Sequence, residues 1–499
     1  MGPLADLMQG FVDAATPMNL AMCFAGVLLG QIIGVLPGIG PSAAIALLLP
    51  LTYGASPTGA IIMFAGLYYG AQYGGTLTSV LINVPGESSS VMTSIDGYQM
   101  ATQGRGGVAL GIAAIGSFIA GTFGTIGLML LAPPLSNIAL AFGPPEYCML
   151  VLLGLTALAA VGGSVMKGLA AGVAGLLLGT VGVDPQVGVA RFHFGQSWLL
   201  DGVDFIVLTV ALFGIGEVLA SCYTSSAEPI LNVGRVLPNR EEWRQSWKAI
   251  MRGTGIGFVI GCLPAAGATI ATFVSYIVEK KVAKDPSRFG RGAIEGVAGP
   301  ESSNNAASAG AMVPMFALGV PGSNTTAVML GALIMFGLRP GPDMFTTNSS
   351  LVWAVIASMY IGNVILLILN LPLAGLFARL LQVRYSWIYP PILAICVTGV
   401  ISHANNVEDA WLMFAFGVMG WLMKRYDWPA APMVLGLVLG PLFENTLRQS
   451  LTLSHGSGMI FLSRPIAAVL LLTALLAVLA PPLIEMIRQR RAPAEVRGA

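Results

Sequence analysis

Two short stretches place hydroxyl side chains directly after a Pro-Gly pair. The first reads NVPGESSS (83–90) and the second reads GVPGSNTT (319–326). In each, Pro and Gly break an apolar run, and a fresh helix can begin at the residues that follow. The first turn of a helix carries unpaired N–H groups, and Ser, Thr and Asn there cap the helix and hydrogen-bond a ligand. The predicted chemistry is binding of an anion such as a carboxylate, without a buried lysine or arginine.

We call residues 83–90 the first tip and residues 319–326 the second tip, and we expect them to face one another around a carboxylate-bearing solute. Helix capping alone would explain a single copy, whereas repetition at matching positions favours a ligand site. The candidate substrate-binding residues of the tips are Pro85, Gly86, Ser88, Ser89, Pro321, Gly322, Ser323, Asn324 and Thr325.

The stretch GPESSNNAASAG (299–310) places one acid in weakly polar surroundings. On a helix, Glu301, Asn304 and Asn305 fall at i, i+3 and i+4 and share one face. Acids inside a membrane mark ion or proton pathways, so Glu301 is the candidate contact for a coupling ion, either sodium or a proton. Asn304 and Asn305 join the candidate substrate-binding residues. A helix charge at the membrane interface is the alternative for Glu301.

The comparable stretch before the first tip is YGAQYGGTLTS (69–79). Its glycines allow a close approach of helices, although packing alone would explain them equally well. The candidate cavity-lining residues in this stretch are Tyr73, Gly74, Gly75 and Thr76.

The amino-acid composition indicates the environment in which these residues lie. Of 499 residues, 55% are apolar and 9% are charged, and the mean hydropathy is +0.79. Soluble domains carry about a quarter charged residues. A bilayer crossing takes about 20 apolar residues, so we predict an all-α polytopic membrane protein with about ten to twelve transmembrane helices and no soluble domain.

The motifs typical of several enzyme classes are absent from the sequence. The sequence contains no HExxH, GxSxG or GxxxxGK[ST] pattern, so an enzyme is not expected. Its five cysteines and three histidines are dispersed, and neither a metal site nor another cofactor is expected. With a net charge of +1, the expected surroundings are a lipid bilayer and not nucleic acid.

Basic residues gather in three polar stretches, which the positive-inside rule assigns to the cytoplasm. They include a basic loop at 231–252 and the C-terminal tail at 488–499. Residues 253–278 lie between two of these clusters and must enter and leave the membrane on one side. We therefore predict a re-entrant helical hairpin with its tip at Leu263–Gly267; a single kinked span is the alternative.

The two halves of the chain share one plan. GVLPGIGP (34–41) and GCLPAAGA (261–268) both carry a G-x-L-P break, and a V-P-G turn follows 48 and 57 residues after the respective prolines. Duplication of broken apolar segments is typical of a secondary transporter. We expect an N-terminal amphipathic segment at 1–17, a first repeat at 18–230 and a second at 253–487. We favour inverted over parallel repeats, because inversion provides two mirror-related access routes to one site.

From about residue 18 to residue 480, the chain resembles the large membrane subunit of the tripartite tricarboxylate transporters. The motifs that carry the resemblance are GVLPGIGP, YGGTLTSVLINVPG, DGYQMATQGRGG, EKKVAKDPSRFGRGAIEGVAGPESSNNAA, LGVPGS and GLRPGPDMF. One departure is LPAAG in the second half, where Ala265 stands in place of the glycine of the family pattern.

The resemblance implies a permease of the bacterial inner membrane, multi-pass, with a cytoplasmic C-terminus by the charge argument. It implies two protein partners, a small four-helix membrane subunit and a periplasmic solute-binding protein that delivers an organic anion. Uptake would be driven by an ion gradient and not by ATP. A stand-alone carboxylate/cation symporter is the alternative, and a channel is a more distant one.

Overall fold

The computed structural model describes most of the chain, and its described residues are almost entirely α-helical. The predicted all-α polytopic class is confirmed. The residues outside the description are 1–2, 36–39, 53, 140–141, 162–163, 185–186, 222–233, 265–266, 381–384, 405–407 and 492–499.

Prolines mark the start of several helices in the first half. They stand in the first turn of α2, α3 and α4, where the missing N–H of proline has no intrahelical partner to lose. These helices are α1 (Pro3–Ala14), α2 (Pro17–Gly34), α3 (Pro41–Leu48), α4 (Pro57–Ile82), α5 (Val91–Thr102) and α6 (Gly106–Ala139).

The middle of the chain contains shorter elements, including a two-stranded antiparallel hairpin and a π-helical turn (Val210–Ile215). The elements are α7 (Pro144–Val161), α8 (Val165–Leu178), β1 (Gly182–Val183), β2 (Ala190–Arg191), α9 (Phe205–Thr209) and α10 (Gly216–Ser221).

The second half again begins with a broken pair of helices and a long buried helix. Its elements are α11 (Arg240–Gly261), α12 (Gly267–Val282), α13 (Glu295–Leu318), α14 (Asn324–Met335), α15 (Asp343–Thr346), α16 (Ser349–Leu380), α17 (Tyr385–Ala404), α18 (Glu408–Arg425), α19 (Ala431–Leu453), α20 (Ile460–Ser463) and α21 (Pro465–Arg491).

The chain forms two compact units. The first comprises residues 1–140 and 205–424 and contains both tips, and the second comprises residues 141–204 and 425–499. Within the second unit, α7 packs on α21 and α8 packs on α19.

Many helices present apolar side chains outward. Leu4, Met8 and Val12 form an exposed stripe on α1, whose other side packs on α16 at Gly10 and Trp353. Among the described residues, three stretches are long and apolar enough by length and composition to cross a bilayer: Pro17–Gly34, Gly106–Ile138 and Ser349–Phe377. The surface position of α1 and the count of ten to twelve crossings stay predictions.

The predicted hairpin at 253–278 is present as the helices α11 and α12, which pack against each other. Arg252 donates from Nε to the buried carboxylate of Glu279 at 2.8 Å, far from the break after Gly261. The two arms therefore run antiparallel. Because α11 begins at Arg240, the part of the expected basic loop from residue 240 to residue 252 is helical.

Parts of several predictions lie outside the described residues. They are residues 36–39 of the first break, 265–266 of the hairpin tip, including Ala265, 231–233 of the basic loop, the repeat boundary at 230, and 492–499 of the tail.

In each half, the helix before the break packs in parallel on the long helix that follows. Gly26, Gly30 and Gly34 of α2 lie against Met63, Leu67 and Ala71 of α4, and Gly253, Gly257 and Gly261 of α11 lie against Gly299, Ser303 and Ala307 of α13. A methyl group at any of these six glycines would come within 2.5 Å of a backbone atom of the partner helix. Glycines at four-residue spacing therefore allow the two backbones to touch.

The two halves are related by inversion. Gln72 and Thr76 of α4 hydrogen-bond to Ser308 and Glu301 of α13, respectively. Residue numbers rise along α4 while they fall along α13, so these two equivalent helices cross in antiparallel directions. The structure thus agrees with the inverted arrangement that the sequence analysis favoured over parallel repeats.

Candidate functional site

The two tips have the same backbone plan. The long helix before each tip ends at a residue in the left-handed conformation, Asn83 (φ 56°) in the first half and Gly319 (φ 70°) in the second. Asn and Gly are the residues that adopt this conformation most readily. Val-Pro-Gly follows, and the chain turns back into a helix, through Ser88–Ser90 into α5 and at Asn324 into α14.

A capping box opens the helix at each tip. In the second tip, the N–H of Thr326 donates to Oγ of Ser323 at 3.2 Å, and the N–H of Ser323 donates to the Thr326 hydroxyl at 2.8 Å. In the first tip, Glu87 occupies the position of Ser323, and its side chain accepts from the N–H of Ser90. The first cap is an acid and the second a neutral hydroxyl.

The glycine of each tip is required by close packing. A Cβ on Gly86 would lie 2.5 Å from Cα of Gly75, and a Cβ on Gly322 would lie 2.6 Å from Cα of Ala311. Both tips thus pack their glycine on the long helix of their own half, at the same relative position.

Both tips meet the same part of α4. Ser89 of the first tip donates to Oε1 of Gln72 at 2.8 Å, and Ser323 of the second tip hydrogen-bonds to the Tyr68 hydroxyl at 3.1 Å. Tyr68 and Gln72 are one helical turn apart and share a face. Nε2 of Gln72 also donates to Ser308 on α13 at 3.2 Å. The structure therefore brings the two predicted tips together around one buried polar cluster.

The second arm of each broken pair contacts the tip of the opposite half. Oγ of Ser88 lies 2.8 Å from the hydroxyl of Thr269 on α12, and Oγ of Ser42 on α3 lies 3.3 Å from the hydroxyl of Thr325. Ser88 and Asn324, which are equivalent, are both exposed. Each tip therefore has hydroxyls in the interior and one polar side chain at the surface.

The residues of the predicted α13 face have different partners. Glu301 is fully buried and accepts hydrogen bonds from Thr76 of α4 at 2.7 Å and from Thr93 of α5. Asn305 donates to Ser117 of α6 at 2.7 Å. Asn304 is also fully buried, and within the described part of the chain its amide has no hydrogen-bond partner. Glu301 thus links the two halves, whereas the side-chain amide of Asn304 forms no hydrogen bond with the described residues.

The four predicted cavity-lining residues of α4 divide into two groups. Gly75 faces the first tip, close to Ser90, and Thr76 donates to Glu301. Tyr73 is fully buried and donates to the carbonyl of Leu110 at 2.9 Å, while Gly74 lies against the backbone of α2. Tyr73 and Gly74 therefore occupy packing positions, against α6 and α2 respectively.

A polar pocket lies beside this cluster, between α4, α6, α13 and α16. It is small, and its lining includes Tyr69, Thr125, Asn305, Ser308 and Asn363. No group of three or more His, Cys, Asp or Glu that could hold a metal ion occurs among the residues that the structure describes.

Several residues of the site were not singled out from the sequence: Glu87, Gln72, Tyr68 and Ser308. The signal for Glu87 lies in the two tips themselves, since aligning NVPGESSS with GVPGSNTT places Glu87 opposite Ser323. No comparable local pattern marks Tyr68 or Gln72, because their role depends on contacts with the opposite half.

The comparisons with known proteins agree with one another. The family model described as tripartite tricarboxylate transporter TctA family matches residues 20–435. The chain is 46% identical over 495 residues, 98% of either chain, to an Agrobacterium vitis protein described as an uncharacterized 52.8 kDa protein in the TAR-I ttuC' 3'region. It is 43% identical over 235 residues, 47% of this chain and 97% of the relative, to an uncharacterized protein in the TAR-II ttuC' 3'region of the same organism. No solved structure matches the chain.

Proposed function

The chain belongs to the tripartite tricarboxylate transporter TctA family, and we propose that it is the permease through which an organic carboxylate enters the cell. The proposal includes a small membrane subunit and a periplasmic solute-binding protein as partners, an inner-membrane location with a cytoplasmic C-terminus, and energy from an ion gradient. Such a permease needs no organic cofactor or bound metal besides the coupling ion.

The observation that carries this proposal is the meeting of two inverted tips at one buried polar cluster. The first tip hydrogen-bonds to α4 through Ser89, and the second tip does so through Ser323. Their partners on α4, Gln72 and Tyr68, are one helical turn apart. Broken backbone inside a membrane protein is tolerated where it is buried in protein or lines a cavity. Inverted repeats with such breaks bind their solute at the repeat interface.

The second tip offers the better place for a carboxylate. It opens a 12-residue helix, α14, whose first N–H groups carry partial positive charge. Its cap, Ser323, is neutral, and the adjacent Asn324 is exposed and can donate to a ligand. Partial charges hold an anion less tightly than buried lysine would, which suits a solute that must be released.

The acid of α13 is assigned a part in ion coupling. Glu301 is fully buried at the contact between the two halves, so its charge would respond to a cation bound nearby. Movement of one half against the other would change its contacts with Thr76 and Thr93.

The test is uptake of labelled citrate and labelled succinate into proteoliposomes that contain the complete complex. We expect uptake that requires the binding protein and an imposed sodium or proton gradient and that needs no ATP. Asn324→Ala and Ser323→Ala should each lower uptake about tenfold, which corresponds to about 1.4 kcal/mol. The matched control is Ser287→Ala, an exposed serine of the α12–α13 loop.

Three outcomes would contradict the proposal in different ways. Full uptake without the binding protein would indicate a stand-alone symporter. Unitary currents that do not depend on the solute would indicate a channel. Unchanged uptake in both tip variants would remove the second tip from the substrate site.

A further inference from the structure

The two tips are equivalent in backbone but differ in charge at one position. Glu87 and Ser323 are both helix caps, with φ/ψ of −145°/171° and −157°/170°, and both take part in a capping box. The first tip therefore already holds a carboxylate at the place where the second tip has a neutral hydroxyl.

This difference makes the first tip a poor anion site. The carboxylate of Glu87 accepts a hydrogen bond from the N–H of Ser90 and contacts Oγ of Ser89, so it occupies the place that an anionic solute would need. A second carboxylate beside it would also be repelled, since two like charges at one site disfavour each other. A cation, in contrast, would be attracted.

The side chain that faces each cap also differs. In the second tip, the Tyr68 hydroxyl reaches Ser323 at 3.1 Å. Positions of α4 and α13 correspond at a separation of 236 residues, as they do at Gly86 and Gly322. The position equivalent to Tyr68 is therefore Asn304, and α13 does contact the first tip.

Asn304 supplies a second, independent observation. It is fully buried, and neither its Oδ1 nor its Nδ2 has a partner among the described residues. A buried amide without partners costs free energy unless something binds it. By the equivalence with Tyr68, which meets Ser323, Asn304 occupies the position on α13 that corresponds to a contact with the cap of the first tip.

We infer that Glu87 and Asn304 form the binding site of the coupling cation, and that the second tip binds the carboxylate of the solute. This inference rests on the proposed function, and it assigns the coupling cation to the first tip and the carboxylate of the solute to the second tip. A carboxylate and an amide oxygen are suitable oxygen ligands for sodium, and the same carboxylate can take up a proton. In both cases a single positive charge neutralises Glu87.

The arrangement explains how ion and solute would be coupled. The cation at the first tip would lie beside Gln72 of α4, and the anion at the second tip would lie beside Tyr68. These two residues are one helical turn apart. Opposite charges at that separation in a water-poor place stabilise each other, so each ligand raises the affinity for the other. The titratable groups that face Glu87 are Tyr68 from α4 and Glu301 from α13.

The experiment compares Glu87→Gln and Asn304→Ala with the wild-type chain in the complete complex. Uptake of labelled citrate is measured against sodium concentration at constant pH, and against a pH gradient without sodium. If sodium is the ion, both variants should raise the sodium concentration for half-maximal uptake at least about tenfold. If the ion is a proton, Glu87→Gln should abolish the dependence of uptake on the pH gradient.

A control and a second readout separate this effect from misfolding. Asp285→Asn removes an exposed acid of the α12–α13 loop and should leave the ion dependence unchanged. Binding is read directly from the rise in the thermal unfolding midpoint of the purified subunit on adding sodium chloride or on lowering pH, with potassium chloride as the salt control. This rise should be present in wild type and absent in Glu87→Gln, and it should be partly restored in Glu87→Asp.

The possible failures are distinguishable. If the wild-type complex transports no carboxylate, the proposed function is wrong. If it transports normally and Glu87→Gln retains both the ion dependence and the ion-induced stabilisation, the proposed function stands and the cation site at Glu87 is wrong. A change of ion dependence in Glu301→Gln, with none in Glu87→Gln, would move the cation site from Glu87 to Glu301.

Discussion

Gln72 and Ser308 hydrogen-bond to each other at 3.2 Å across the contact between the two halves, and they occupy equivalent positions, 236 residues apart. Two equivalent positions that touch must lie beside the twofold axis that relates their halves. Because α4 and α13 are antiparallel there, this axis runs across the helices and not along them. The polar cluster at the tips therefore surrounds the axis of an inverted repeat.

The first prediction concerns Gln72 itself. Gln72→Leu removes the acceptor of Ser89 and the donor to Ser308, and it leaves two buried hydroxyls with fewer partners. We expect a loss of about 1–3 kcal/mol in unfolding free energy and a loss of uptake, because both tips are attached at this point. Thermal unfolding in detergent and proteoliposome uptake measure the two effects.

The matched control for that variant is Gln245→Leu, which alters an exposed glutamine on α11 and should change stability by less than about 0.5 kcal/mol. Equal stability of Gln72→Leu and wild type would mean that the cluster does not hold the halves together.

A second prediction tests the glycine contacts between α11 and α13. A methyl group on Gly257 would lie 2.1 Å from the Ser303 carbonyl oxygen, whereas one on Gly255 would meet no atom within 4 Å. Gly257→Ala should therefore destabilise the protein by about 1–3 kcal/mol. Gly255→Ala should be neutral or stabilising, since alanine favours helix. The two substituted positions lie two residues apart on α11. Thermal unfolding of both variants measures the difference in stability, and equal unfolding midpoints would argue against this packing.

The features that could be predicted from the sequence depend mostly on short local residue patterns. Where Pro and Gly stand together in an apolar run, as in both tips, the helix ends, so the tips, the breaks and the hairpin could be inferred from the sequence. Isolated prolines, such as Pro314, are accommodated inside a helix. The start of α11 could not be inferred from polarity, since a capping box between Asn239 and Glu242 begins a helix inside the basic stretch.

The parts that could not be predicted depend on contacts between distant residues. Glu301, Asn304 and Asn305 do share α13, yet their partners lie on α4, α5 and α6, which no spacing within 299–310 reveals. Asp96 is the clearest example, because nothing in its local sequence shows that this residue of α5 anchors the opposite half.

That anchor provides the third prediction. Oδ1 of Asp96 accepts from the N–H groups of Gly290, Gly292 and Ala293 at 2.8–2.9 Å, and Oδ2 accepts from the Tyr276 hydroxyl at 2.8 Å. Asp96→Ala should leave these donors without an acceptor and cost several kcal/mol, at about 1–3 kcal/mol for each buried group.

The control for this variant is Asp285→Ala in the same connection before α13. The pKa of Asp285 is lowered by hydrogen bonds from Ser287, but its side chain is exposed, so its loss should cost little. Limited proteolysis between α12 and α13 provides the readout, with faster cleavage expected for Asp96→Ala alone. Equal cleavage of both variants would show that Asp96 does not hold this connection.

The last prediction separates the roles of Glu301 and Glu87. Glu301 accepts hydroxyl hydrogen bonds from Thr76 and Thr93, and its charge interacts with that of Glu87. Glu301→Gln removes a negative charge near the first tip but leaves Glu87 in place. The affinity for the coupling cation should therefore fall several-fold, by up to about 1.4 kcal/mol, while the KM for the carboxylate stays within about twofold of wild type.

Thr93→Val provides the matched comparison, because it removes one hydroxyl donor to Glu301 and keeps the charge. It should alter the ion dependence less than Glu301→Gln does if charge is the cause, and by a similar amount if the hydrogen bonds are the cause. Uptake against ion concentration, measured for wild type and both variants in one lipid preparation, distinguishes these causes. An unchanged ion dependence in Glu301→Gln would exclude Glu301 from coupling and leave it as a link between α13, α4 and α5.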